Sequence, residues 1–182
     1  MASVSARNHS VALGKARLLR ETSIDRRLRP ISHQQAEAYL HASLAANVAA
    51  WEAYLEQLVG EFFTVTSNPV ISSYHTMHTV AKENALREIK AFNTPNAQNS
   101  RELLNHTTGY DPINDWIWPA RGMSGPHVRA RLDEILRVRH SFAHGLSLPA
   151  YAWTQSPAGR LRLGSRAGVL LTVVLRNCRA PP

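Results

Sequence analysis

Hydrophobic residues recur every three to four positions through most of the chain, which is the spacing of amphipathic α-helices. The longest such run covers about residues 33–63, where alanines fill most positions between the larger apolar residues. Ser32 precedes this run as a candidate N-cap, and Gln35 follows it at the spacing of a capping box. The larger apolar residues of the run are Tyr39, Leu40, Leu44, Val48, Trp51, Tyr54, Leu55, Leu58 and Phe62. We predict one long helix here, with Trp51 and Tyr54 in the core.

Shorter helices are predicted on both sides of this run. Pro30 ends the first of them, because its ring disfavours helical conformation at the preceding residue. Gly145 is placed to end the last. The four shorter helices cover about residues 7–29, 72–92, 97–107 and 127–143. The expected apolar face of the helix at 72–92 consists of Met77, Val80, Ala81, Leu86 and Ile89. The fold class is therefore predicted as all-α.

The other segments lack helical periodicity. Residues 109–125 are interrupted by Pro and Gly, and Trp116, Ile117 and Trp118 are expected to hold this loop against the core. Basic and apolar side chains alternate at residues 160–163, as in a strand, and residues 168–175 form a short apolar run. A terminal helix and a hairpin are therefore both possible for the tail. The predicted division is a basic N-terminal helix or arm at 1–30, a helical domain at 31–146 and a C-terminal extension at 147–182.

Composition narrows the class of protein. The 182 residues are 44% hydrophobic, which excludes a wholly disordered chain. No apolar run approaches the roughly 20 residues needed to span a bilayer, and the first residues lack the apolar core of a secretory signal. The single cysteine, Cys178, cannot form an internal disulfide. These features predict a soluble cytoplasmic protein that does not bind membranes.

The net charge of +8 is unevenly distributed. Residues 1–35 carry +5, residues 36–120 carry −5 and residues 121–182 carry +8. Basic patches of this kind attract polyanions such as nucleic acids, or acidic partners. Only three of the 21 basic residues are Lys, so a bias in base composition explains the charge equally well. Charge alone does not locate a site.

The predicted helix at 127–143 ends in a segment rich in Arg and His, residues 139–144, which we call the Arg/His segment. His140 and His144 lie one helical turn apart, a spacing that can hold a metal ion. Zinc hydrolase helices of the H-E-x-x-H type carry a Glu directly after the first His, where this chain has Ser141. Arg137 and Arg139 would repel a dication. We therefore expect no metal and no cofactor.

Arg139 and His144 could instead act together on a phosphodiester. Metal-free RNA cleavage needs a group that titrates near neutrality to move the proton of the 2′-hydroxyl, and a permanent cation to stabilise the phosphoryl oxygens. Five residues of helix correspond to a net rotation of about 140°, so these side chains do not share a face. They converge only if the helix loosens near Gly145 or if a second copy of the chain supplies the partner group. The structural alternative is that both stabilise the helix C-terminus.

With its flanks, the Arg/His segment resembles the HEPN (higher eukaryotes and prokaryotes nucleotide-binding) superfamily, which is defined by an R-x4-6-H motif. Residues 139–144, RHSFAH, match that motif, with His140 as the polar residue that often follows the Arg. Other parts of the chain resemble the RiboL-PSP branch of the superfamily. These are the segment AAWEAYL at 49–55, residues 92–96, and Asp111-Pro112 with Trp116. The resemblance covers roughly residues 36–146.

The resemblance implies an antiparallel bundle of about four to five helices that forms a homodimer, so that two such motifs face each other in one cleft. It also implies a metal-independent endoribonuclease that cleaves RNA in toxin–antitoxin, phage-defence or RNA-processing settings. An antitoxin or a defence-complex protein is then a candidate partner. The alternative is a catalytically inactive HEPN module that binds RNA or acts as a scaffold in such a complex.

The resemblance also assigns roles to residues. Arg139 would orient and stabilise the phosphate, and His144 would be the general acid and base. His140, the third expected catalytic residue, would support the site or contact the substrate. Glu52 and Ser141 are expected to be supporting residues, although a buried salt bridge explains Glu52 equally well. The expected RNA contacts are Arg129, Arg131 and Arg137.

Overall fold

The computed structural model describes residues 3–25, 27, 33–68, 70–112, 115–119 and 122–151. Five helices are present in these residues: α1 (Val4–Ile24), α2 (His33–Val65), α3 (Ser72–Ala91), α4 (Ala97–Thr108) and α5 (Gly125–Ala143). They contain no strand, and their only β-type pairing is an isolated bridge between Trp118 and Met123. The all-α prediction is confirmed for this part of the chain. The predicted helix or hairpin at 160–175 lies outside the described residues.

Local hydrogen bonds set the helix ends. The Ser3 hydroxyl accepts a bond from the Ala6 N–H at 3.1 Å and so begins α1. This helix ends at Ile24 rather than near residue 29, because the Asp25 carboxylate accepts the Arg27 N–H at 2.8 Å and forms a turn that competes with the helix. The other predicted helices begin and end within two residues of their observed bounds.

α1 lies antiparallel along α2. At its start, the N–H and the hydroxyl of Ser5 both donate to the Glu61 carboxylate at 2.7 Å. Further along, the Ser43 hydroxyl donates to the Ala16 carbonyl at 2.8 Å. The face of α1 that α2 buries consists of small and polar residues, namely Ser5, His9, Ala16 and Ser23. The division of the chain into an N-terminal helix or arm at 1–30 and a helical domain at 31–146 stays a prediction.

The core is built around the middle of α2. Trp51 is completely buried and Tyr54 almost so, as predicted. Apolar side chains of α4 and α5 pack against this region: Leu103, Leu104, Val128, Leu132, Ile135 and Val138. Trp116 and Trp118 are also buried, which confirms their role as anchors of the loop. The prediction for Ile117 is wrong, because neighbouring side chains of an extended segment point to opposite sides and this one is 41% exposed.

A short turn before α4 connects three helices. The Trp51 Nε1 donates to the Pro95 carbonyl at 3.2 Å. The Asn96 side chain accepts the Asn99 N–H at 2.7 Å as the N-cap of α4. The Asp133 carboxylate of α5 accepts the N–H of Ala97 at 3.1 Å. This turn therefore fixes the start of α4 against both α2 and α5.

The predicted apolar face of α3 is largely wrong. Met77, Val80 and Leu86 are more than half exposed. The residues of α3 that pack inward are His78, Ala85 and Ile89. The spacing of the apolar residues located them along α3 but did not show which of them contact another helix. The side of α3 that packs against the rest of the protein is narrower than this spacing suggested.

Candidate functional site at the end of helix α5

α5 divides into a buried side and an exposed side. Its buried residues recur at helical spacing and are Gly125, Val128, Leu132, Ile135, Val138 and Ser141. Arg137, Arg139, His140 and His144 are exposed. The apolar side holds the helix against the core, and this leaves the basic end of α5 open to solvent.

The C-terminal end of α5 is closed by a glycine turn. Gly145 has φ of 63°, the left-handed conformation that glycine adopts without a Cβ penalty. The N–H of Leu146 donates to the Ser141 carbonyl at 2.8 Å, and the N–H of Gly145 donates to the Phe142 carbonyl at 3.4 Å. These two bonds form a Schellman motif with His144 as the C-cap. The prediction that Gly145 ends the helix is confirmed.

The two histidines of the Arg/His segment lie together. The ring centroids of His140 and His144 are 4.3 Å apart, with 47° between the ring planes. The His144 N–H also donates to the His140 carbonyl at 3.1 Å, which continues the helical pattern to the cap. Within the described part of the chain, no group of three His, Cys, Asp or Glu residues is arranged to hold a metal ion.

Arg139 and His144 do not meet within one chain. α5 stays helical to Ala143, so the net rotation of about 140° between the two positions is kept. Loosening of the helix near Gly145 is therefore not observed. Among the residues that the structure describes, the Arg139 side chain forms no hydrogen bond or ion pair. Its guanidinium group is open to a ligand or to a second molecule.

Comparison with models of known protein families identifies the family of this chain. The family model described as RiboL-PSP-HEPN matches residues 16–156. The chain belongs to the RiboL-PSP-HEPN family. The match includes α2 to α5 and the whole Arg/His segment, and it extends at both ends beyond the sequence resemblance at residues 36–146. HEPN-type domains are helical and generally have nuclease or other RNA-related functions. No curated protein and no solved structure matches the chain.

Neither of the two expected supporting residues of this HEPN domain shares the exposed side of α5 with the histidines. Ser141 is on the buried side of α5, where its hydroxyl donates to the Arg137 carbonyl at 3.0 Å. Glu52 is half-buried on α2 and forms no ion pair within the described residues. Burial raises the pKa of the neighbouring Glu56, and the negative charge of Glu52 raises it further.

The three arginines expected to contact RNA have different surroundings. Arg137 shares one side of the HEPN helix α5 with His140 and His144, since the three are spaced at i, i+3 and i+7. Arg129 lies on a similar side about 16 Å before His140 along the axis. Arg131 instead points to Glu134, with its Nη1 2.7 Å from the Glu134 Oε2. The structure therefore groups Arg137 with the two histidines and separates Arg131 from them.

One contact of the Arg/His segment was missed at the sequence level. The ring of His41 on α2 stacks on Phe142, with centroids 3.5 Å apart and 27° between the planes. Burial lowers the pKa of His41, and nearby Glu37 partly opposes this shift. The available signal was the position of His41 three residues before Leu44 on the apolar stripe of α2.

Within the described residues, no helix of this HEPN protein is both long and apolar enough to span a membrane.

Proposed function

We propose that this HEPN domain is a metal-independent endoribonuclease whose site is completed by a second copy of the chain. The observation that carries the proposal is the geometry of Arg139 and His144. Both are exposed at the end of α5, yet the regular helix keeps them on different sides. A homodimer in which the two helix ends meet would place the Arg139 of one copy beside the His144 of the other. This arrangement is common in symmetric dimers, where residue i contacts j and j contacts i.

The chemistry follows from the two residue types. His144 takes the proton of a ribose 2′-hydroxyl, and the 2′-oxygen then attacks the adjacent phosphorus. The bond between phosphorus and the 5′-oxygen breaks, and this oxygen receives a proton from a second imidazole. His140 is suited to that role because its ring is 4.3 Å from that of His144. The products are a 2′,3′-cyclic phosphate and a 5′-hydroxyl, and neither water nor a cofactor is consumed.

Arg139 supplies the permanent positive charge. The C-terminal end of a helix is electrically negative and by itself repels a phosphate. The Schellman bonds already engage the carbonyls of Ser141 and Phe142, and a guanidinium group nearby offsets the remaining negative potential. Arg137 and Arg129, on the side of the histidines, are proposed to guide the RNA backbone into the site. Arg131 would contribute less, because it is paired with Glu134.

The first experiment is RNA cleavage by the purified protein in EDTA. Arg139→Ala and His144→Ala are each expected to lower the rate by about 10²–10⁴-fold. Two matched controls should keep full activity. His106→Ala removes an exposed histidine from the last turn of α4, and Arg87→Ala removes an exposed arginine of α3. An absence of cleavage by the wild type, or unchanged cleavage by both site variants, would contradict the proposal.

A mixing experiment tests whether the site is shared. A heterodimer of Arg139→Ala with His144→Ala contains one intact site if the two residues act across the interface, and none if they act within one chain. Random mixing of the two inactive variants should therefore restore about one quarter of the wild-type activity. Mixtures that stay inactive while heterodimers form would disprove the shared site.

We also propose a cellular role as a toxin or phage-defence effector, with an antitoxin or defence protein as partner. Growth arrest on expression that is abolished by His144→Ala would support it. RNA binding without cleavage would instead identify a catalytically inactive module, with a salt dependence set by the basic residues.

A further inference from the structure

The buried side of the Arg/His segment rests on a histidine of α2. Phe142 lies three residues after Arg139 and two before His144, and its half-buried ring stacks on that of His41 at a centroid distance of 3.5 Å. The two residues are about one hundred positions apart in the chain. The contact therefore joins the N-terminal third of α2 to the last turn of α5.

The surroundings of His41 show what holds its ring. The Nε2 atom is buried and has no hydrogen-bond partner among the described residues. The Oε1 atom of Glu37 is 3.8 Å away, which is within ion-pair range of a protonated ring but beyond hydrogen-bonding distance. Burial lowers the pKa of His41, with Glu37 acting in the opposite direction. Stacking on Phe142, rather than a hydrogen bond, is therefore the main specific contact of this imidazole.

Phe142 is well placed to set the direction of the exposed side chains. Residues three apart on a helix are neighbours, so Phe142 and Arg139 occupy adjoining sides of α5. His144 follows as the cap of the same turn. The last turn of a helix frays readily unless side chains or caps hold it. Gly145 closes the backbone of this turn, and Phe142 is its last half-buried aromatic anchor.

We propose that His41 is a positioning residue for the Arg/His segment, and that its stack on Phe142 fixes the rotation of the last turn of α5. Arg139 and His144 are then held in the directions that a second copy must meet. The kinetic part of this inference rests on the proposed endoribonuclease function. The structural part does not, because the order of the last turn can be measured without RNA.

The test compares His41→Ala, His41→Phe and a matched control, His78→Ala. His78 is also a half-buried histidine beside a phenylalanine, with its ring 5.4 Å from that of Phe63, but it lies in the second turn of α3. Amide hydrogen exchange of residues 141–146 is measured by NMR. His41→Ala should speed this exchange by about 2- to 10-fold, the range expected for loss of an aromatic pair. His41→Phe should keep the wild-type rates, and His78→Ala should leave them unchanged.

Steady-state kinetics on RNA in EDTA provide the second measurement. His41→Ala should lower kcat by a similar factor with KM retained, and His41→Phe should restore kcat. Equal exchange rates in His41→Ala and the control would overturn the proposal, as would a His41→Phe variant that behaves like His41→Ala. If the wild type does not cleave RNA, the proposed function fails, and the exchange comparison still decides the role of His41.

Discussion

Replacing Gly145 with alanine tests the turn that places His144. The φ angle of 63° at this position costs an L-residue about 1–2 kcal/mol relative to ordinary helical or extended conformations. A Cβ built on Gly145 would meet no atom of the surrounding residues within 4 Å. The expected loss therefore comes from the local backbone conformation, with no clash against the rest of the protein. We expect Gly145→Ala to lower the free energy of unfolding by about 1–2 kcal/mol.

Gly60→Ala is the matched control, because it makes the same chemical change with the opposite expected sign. Gly60 lies inside α2, and a Cβ there also meets no atom within 4 Å. Alanine favours helix over glycine by about 0.5–1 kcal/mol, so this variant should be more stable than the wild type.

Thermal unfolding followed by circular dichroism measures both variants. For a chain of this size, Gly145→Ala should lower Tm by about 2–8 °C and Gly60→Ala should raise it by about 1–4 °C. A Tm for Gly145→Ala equal to or above that of the wild type would refute the argument that positive φ at this turn is a requirement for stability. If the proposed function holds, the same variant should also lose cleavage activity, because the cap that carries His144 is weakened.

Two further predictions concern α1 and α4. Burial lowers the pKa of His9, although the bond from its Nδ1 to the Ala50 carbonyl acts in the opposite direction. As the pH falls below the ordinary histidine pKa of 6.5, the unfolded chain therefore binds more protons than the folded protein, and the free energy of unfolding should decrease. Above that pH the contribution of His9 to stability should be fully present. Urea unfolding at pH 7.5 and 5.5 measures this dependence, and His9→Phe should make it weaker. Asn96→Ala should lower the free energy of unfolding by about 1 kcal/mol, because it removes the N-cap of α4. Asn105→Ala, at an exposed position of the same helix, should change it much less, and equal losses would contradict the capping role.

Sequence periodicity predicted the helices well because each carries its own signal. α2 shows this most clearly, since its apolar stripe alone defined a helix close to the observed His33–Val65. The early end of α1 depends on a turn that the Asp25 carboxylate forms. The spacing of apolar residues does not indicate such a turn. The packed side of α3 depends on the positions of α2 and α4. A pattern within one helix cannot contain that information.

The candidate site likewise has a part that the sequence predicted and a part that it could not. Arg139, His140 and His144 form a contiguous motif, so the sequence could identify them, and helical geometry already indicated that the first and last do not share a face. The stack of His41 on Phe142 could not be identified, because it joins residues far apart in the chain. Only the tertiary structure showed that α2 reaches the end of α5.

The interface between α1 and α2 has a consequence for partial unfolding. The buried residues of α1 are the small or polar Ser5, His9, Ala16 and Ser23, and hydrogen bonds join the two helices at Glu61 and at backbone carbonyls. Water can replace these bonds when α1 separates, and little apolar surface is exposed by its own buried side chains. Of the large core side chains, Tyr54 adjoins this interface, with its ring 5.4 Å from that of His9. We therefore expect α1 to be a cooperative unit of low local stability, so that native molecules visit a state with this helix detached and the remaining bundle intact more often than they unfold globally.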